Sequence, residues 1–164
     1  FFAGPRTSMS DELLSYFRGQ QVPLQWYGVL RAMAAVLPND VGQADLRRMM
    51  FRVGQQFAQD TQSMFEGSQS LADLQDALND FWTRVNWGSV RLTEVQGAIA
   101  IQHHWAPLAE AFGDESLTWS VGLLEGYYQY VFGALGADPS MGIRIQETQA
   151  QGMDVQFQFG LIDA

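Results

Sequence analysis

The hydrophobic period changes once, near residue 85, and that change restricts the fold more than any other feature of this sequence. Before it, Leu71, Leu74, Leu78 and Phe81 recur at helical spacing, with Asp73, Asp76 and Asp80 on another side and Ser70 placed to cap the helix. After Trp87-Gly88 the period is 2: Val90, Leu92 and Val95 are interleaved with Ser89, Arg91 and Glu94. Gln96-Gly97 then turns the chain into Ala98 to Trp105, where Ile99 and Ile101 alternate with polar neighbours. The same alternation returns from Met141 to Gln149 and from Met153 to Phe159, around a turn at Gln151-Gly152. Two β-hairpins are predicted, in a chain whose first half is helical.

The helical half starts at Ser10-Asp11-Glu12, followed by Leu13, Leu14 and Phe17, with an end near Gly19. Pro23 opens a second helix carrying Trp26, Val29, Leu30, Met33 and Leu37, ended by Pro38. Val41 to about Met64 forms a third, with Leu46, Met49, Met50, Val53 and Phe57 on one side and Arg47, Arg48 and Arg52 on the other. Between the hairpins, Pro107 and Gly113 frame an irregular connection, and Asp114 to Ser116 start a further helix that ends at Asp138-Pro139-Ser140. The order predicts an α+β domain, N-terminal helices followed by a hairpin, a helix and a hairpin that form a four-stranded antiparallel sheet. Residues 1–164 read as a single domain: an N-terminal extension over 1–21, a helical part over 22–82, and the sheet with its long helix over 83–164.

Within that long helix, LLEGYYQYVFGALG (123–136) holds one charge, Glu125. On a helical projection Leu117, Val121, Leu124, Tyr128 and Leu135 line one side, and Trp119, Leu123, Tyr127 and Tyr130 line the other. A helix apolar nearly all round is a buried helix. It is expected to lie between its own sheet and a neighbouring subunit, with Gly122, Gly126 and Gly133 allowing close approach and an arginine meeting Glu125.

Composition supports assembly and narrows function. Charged residues make up 16% of the 164, against about 25% in a typical soluble domain, so part of the surface is expected to be covered by other subunits. The nine basic residues are all arginine and the net charge is -9, which disfavours nucleic-acid binding and an anionic membrane surface. No apolar run is long enough to span a bilayer, and FFAGPRTSMS has no signal-peptide order. Without cysteine there are no disulfides or thiolate chemistry.

The catalytic candidates are thin. His103 and His104 are adjacent on a strand and point to opposite faces, so they cannot share an ion, and they read as surface or interface histidines. Glu125 is the one acid in apolar surroundings, but a glycosidase needs two carboxylates across a cleft and no second one accompanies it. No nucleophile-elbow, phosphate-loop or dinucleotide motif is present. Trp82, Trp87, Trp105, Trp119, Tyr127, Tyr128 and Tyr130 suit either sugar stacking or core and interface packing.

Three stretches in register resemble the D subunit encoded in the bacterial cellulose synthase operon. They are LQDALNDFWTRVNWGSVRLTEVQGAIAIQHHWAP (74–107), LLEGYYQYVF (123–132) and VGQADLRRMMFRVGQQFA (41–58), within a similarity spanning roughly Val22 to Phe159. The resemblance implies an accessory protein without catalysis or cofactor, assembled as a ring-shaped octamer built from dimers. It further implies association with nascent glucan or organisation of the cellulose synthase complexes, a proline-rich partner from the same operon, and a place in the cytoplasm near the inner membrane or, alternatively, in the periplasm. On this reading Trp119, Leu123, Glu125, Tyr127, Tyr128 and Tyr130 are expected at the oligomer interface. Phe2, Arg6, Tyr16 and Arg18, in the extension that departs from the family pattern, are expected near glucan. The alternative is a small-ligand-binding sensory module of the 4-vinyl-reductase type, whose helix-plus-hairpin outline matches Gly126 to Phe159 but whose cysteines are missing.

Overall fold

The structure is a computed structural model that describes residues 8–148 and 154–162. Phe2, Arg6, the Gln151-Gly152 turn and Met153 lie outside the described residues.

Four helices come first: α1 Met9–Gln21, α2 Leu24–Val41, α3 Gln43–Asp60 and α4 Leu71–Arg84. Then follow β1 Ser89–Val95, β2 Ala98–His104, the short helices α5 Leu108–Phe112 and α6 Leu117–Ser120, the long helix α7 Gly122–Ala134, and β3 Met141–Thr148 with β4 Asp154–Leu161. The sheet is antiparallel, in the order β1-β2-β4-β3. The predicted α+β architecture is therefore the observed one.

Several boundaries move for local reasons. Ser8, not Ser10, caps α1: its hydroxyl accepts the Asp11 N–H and the Asp11 carboxylate accepts the Ser8 N–H, a reciprocal pair that Ser10 cannot make. Pro38 lies inside α2 rather than ending it, because in the last turn it forfeits a single bond, and Gly42 (φ 85°) makes the corner instead. The Pro107–Gly113 connection contains α5, whose Leu108, Ala109 and Ala111 are buried. Gln96 and Gly97 both have positive φ (51° and 80°), the conformation of a tight two-residue hairpin turn.

One face of the sheet is apolar. Val90 and Leu92 pair with His103 and Ile101, and Ile101 and Ile99 pair in turn with Phe157 and Phe159. Onto this face α7 packs through Phe132, stacked on Phe159 at 4.6 Å, and through Tyr128 against Phe157. The other face, with Arg91, Thr93, Gln102, Gln156 and Gln158, is polar. On its far side α7 meets α3, so the domain has three layers with α7 in the middle.

That packing requires glycine at three places. A Cβ on Gly54 of α3 would lie 1.8 Å from the Leu123 carbonyl oxygen, and one on Gly126 of α7 would lie 1.9 Å from that of Phe51. At Gly122 it would meet the Arg47 carbonyl oxygen at 2.6 Å. The predicted close approach at Gly122 and Gly126 is thus made to α3 of the same chain. Gly133 has nothing within 4 Å of such an atom.

Amide side chains cap part of each sheet edge. On β1, Asn79 of α4 accepts from the Val90 N–H at 2.7 Å and donates to its carbonyl at 2.9 Å, while Gln75 accepts from the Leu92 N–H at 2.9 Å. On β3, Gln129 of α7 accepts from the Ile143 N–H at 2.9 Å and donates to the Met141 carbonyl. These are groups that an unprotected edge would present to another strand.

Candidate functional site

The aromatic centre of the domain is a closed cluster. Trp82 is enclosed by Phe57, Phe81, Trp87, Tyr127 and Tyr128, with ring centroids 4.7 to 6.4 Å apart. His103 sits among them, fully buried. It is a core residue, contrary to the surface or interface placement expected from sequence, because its position alternates in phase with Ile99 and Ile101. Its Nε2 is 2.7 Å from the Trp87 carbonyl oxygen, which can only accept, so Nε2 carries the proton. Nδ1 therefore accepts from the Tyr128 hydroxyl at 2.5 Å. Burial drives the His103 pKa from 6.5 down to about 4, against the Trp87 carbonyl and the Asp154 charge, which favour the cation. Burial likewise raises Tyr128 well above its ordinary value and Tyr127 to about 12. The indole N–H of Trp82 opposes the Tyr128 shift without reaching a hydrogen bond of normal geometry. Trp82, Trp119, Tyr127 and Tyr128 are thus structural, with no ring face open to a sugar.

Glu125 meets the expected arginine, and it belongs to the same chain. Arg47 of α3 pairs with it and also donates to the Thr118 carbonyl, locking α3 to α6 and α7. The cleft beside this pair, about 500 Å³, is lined by Ala44, Arg47, Arg48, Phe51, Arg52, Gln55 and Glu125, so Glu125 is the sole carboxylate among these residues. A hydrolytic pair cannot be built from one carboxylate already taken by a guanidinium. Because Arg47 keeps about a third of its surface exposed, Glu125→Ala should cost about 1 kcal/mol of chain stability, short of the penalty for a fully desolvated pair. Urea unfolding of the two proteins measures it.

The other residues expected at an interface divide in the same way. Trp119, Leu123, Tyr127 and Tyr128 are buried by their own chain, whereas Glu125 and Tyr130 keep accessible surface. Tyr130 donates to Gln62 Oε1 at 2.7 Å.

At the N-terminal end, Arg18 is held by Glu110 at 3.4 Å and Asp114 at 3.8 Å, and so clamps α1 to α5 and the turn after it. Tyr16 is exposed, edge-on to Phe17. Gln21 donates to the Trp105 carbonyl at 2.8 Å, and Asn86 donates to that of Gln20. Between these contacts lies a small pocket of about 170 Å³ walled by Leu14, Phe17 and Trp105.

α2 has no buried residue at all. Leu30, Ala34 and Leu37 are half-buried on the body of the domain, and Arg31 donates to the Glu110 and Ala109 carbonyls of α5. Trp26, Val29, Met33 and Val36, at spacings of 3, 4 and 3, form an outward stripe between 44% and 55% exposed. Sequence reading found the periodicity of α2 but missed that most of its apolar side faces outward. The available signal was its composition, with Arg31 and Asp40 its two charges in 18 residues.

Among the described residues no group of three or more His, Cys, Asp or Glu is placed to hold a metal ion. Nor is any helix among them long and apolar enough to cross a membrane. No curated protein matches this sequence. The family model for the D subunit of cellulose synthase matches residues 12–158, from within α1 to within β4 and across the hairpin outline on which the ligand-binding alternative rested. With nine-tenths of its length covered in this way, the chain belongs to the family of cellulose synthase D subunits.

Proposed function

We propose that the chain is a non-catalytic accessory subunit of bacterial cellulose biosynthesis that works as an oligomeric ring built from dimers, organises the synthase complexes and guides nascent glucan for export. The family match supports the role in cellulose synthesis. The observation that carries assembly is the outward stripe of α2, since a helix apolar on both sides is stable where both sides are covered. A second copy is the occupant we assign to it. With Leu24 and the exposed α1 residues Leu13, Tyr16 and Phe17, the stripe supplies apolar surface on the scale of the roughly 800 Å² per partner found in stable interfaces. The aromatic residues of α7 then serve the single chain, and assembly falls to α2. The proline-rich operon partner and a cytoplasmic position near the inner membrane, with the periplasm as the alternative, complete the proposal.

Size-exclusion chromatography with light scattering should give a particle several times 18.4 kDa. Trp26→Asp combined with Met33→Asp should reduce it to single chains with unchanged circular dichroism, because each buried apolar side chain lost costs about 2 kcal/mol. A monomeric unmodified chain at micromolar concentration would overturn the reading.

A further inference from the structure

No residue of α1 is buried. The residues it turns toward the body, half-buried, are Leu14, Arg18 and Gln21, at spacings of 4 and 3, whereas Leu13, Tyr16 and Phe17 point outward. A helix that keeps its bulkiest apolar groups outside gains little from docking. We infer that α1 is a strap hinged at Val22-Pro23, which lifts from the body as one unit in a single chain and is clamped shut when a second copy covers its outer face. The clamping half of this inference rests on the assembly proposed above.

Four observations carry it. The ties that hold α1 down are polar and gather at its C-terminal end: Arg18 to Glu110 and Asp114, Gln21 to the Trp105 carbonyl, and Asn86 to the Gln20 carbonyl. Ion pairs this exposed hold weakly and are screened by salt. Between α1 and the body lies the 170 Å³ pocket walled by Leu14, Phe17 and Trp105, so the two surfaces meet without close packing. The hinge is built for the motion: Val22 is buried and anchors the base, its backbone is extended as a residue before proline requires, and α2 begins at once behind Pro23. Finally, docking holds a strained partner. Trp105 has a φ of 62°, unusual for a bulky side chain, and is kept there by Asp154 on its N–H and by Gln21 on its carbonyl. Lifting α1 removes the second restraint. The Ser8 capping box, Asp11 and Glu12 in the first turn and Arg18 in the last favour the helix itself. Thirteen residues are still too few for a stable helix away from the body, so a lifted strap unwinds and re-forms on docking.

The test is amide hydrogen exchange in the unmodified oligomer and in the Trp26→Asp, Met33→Asp single chain. In the single chain the amides of residues 13–21 should exchange with one common opening constant, at least about a hundredfold faster than those in the middle of α3. Arg18→Gln should speed them about threefold further, as the loss of an exposed ion pair implies, and should leave α3 unchanged. In the oligomer the same amides should exchange at least about tenfold more slowly. If the double variant unfolds, which fast exchange in α3 would reveal, dilution of the unmodified chain until it dissociates gives the same comparison. The strap is overturned if α1 of the single chain is protected like α3, or if exchange is graded from Ser8 inward with residues 18–21 as slow as α2, the pattern of a fraying end. It is equally overturned if Arg18→Gln changes nothing or if assembly leaves the rates as they were. Any of these results in a chain that still forms an oligomer leaves the accessory-subunit reading in place, whereas a monomeric unmodified chain, read from its mass, removes both.

Discussion

Alanine at Gly126 is expected to destabilise the chain by about 3–5 kcal/mol, above the usual range for an added methyl group in a core. The new Cβ would lie 1.9 Å from the Phe51 carbonyl oxygen and 2.7 Å from its carbon, both backbone atoms in the middle of α3. No side-chain rotation relieves that contact, so the helices must separate. Separation loosens Phe57 from Tyr127, now 5.4 Å apart, and exposes the aromatic cluster behind them. Gly54→Ala should do the same from the opposite helix, against the Leu123 carbonyl. Gly133→Ala provides the control with the opposite sign: nothing crowds that position, and the better helix former should add about 0.5–1 kcal/mol. Denaturant midpoints for the three variants decide the matter, and a tolerated Gly126→Ala would mean that α3 and α7 are not in van der Waals contact.

The second large effect is a loss of stability in mild acid that passes through His103. Its pKa in the folded chain is about 4, below its ordinary 6.5, so between these values the unfolded chain holds a proton that the folded chain lacks. Stability therefore rises with pH across that window and is lost on acidification, by about 3 kcal/mol in all. Protonating Nδ1 would also remove the acceptor of the Tyr128 hydroxyl. His104 and Asp154 act on the same group, the first disfavouring and the second favouring its cation. Urea unfolding at pH 7 and pH 4.5 should show the decline in the unmodified chain and a much shallower one in His103→Gln. Equal slopes in the two proteins would exclude His103 as the source.

The pattern of what was legible in the sequence has physical reasons. A change of period is a local signal, and it located both hairpins, α4 and the Gln96-Gly97 turn. The polarity of LLEGYYQYVFGALG likewise foretold a buried helix and an arginine for its lone acid. What covers that helix was not local information: it depends on Gly54, some seventy residues away, meeting Leu123, and a glycine in the middle of an amphipathic helix gives a need for closeness without naming the neighbour. His103 was legible in principle, since the inward phase of Ile99 and Ile101 continues to it, but the usual exposure of histidine pointed the other way. For α2 the periodicity could not say which part of an almost uniformly apolar circumference faces the domain.

The amides of Asn79, Gln75 and Gln129, which hold backbone groups of the two outer strands, restrict how copies of this chain can meet. A sheet with open margins can recruit further sheets without limit and become a filament itself. Here Val90, Leu92, Met141 and Ile143 already have side-chain partners within the chain, so a strand arriving from another copy would have to displace three amides before it could pair with them.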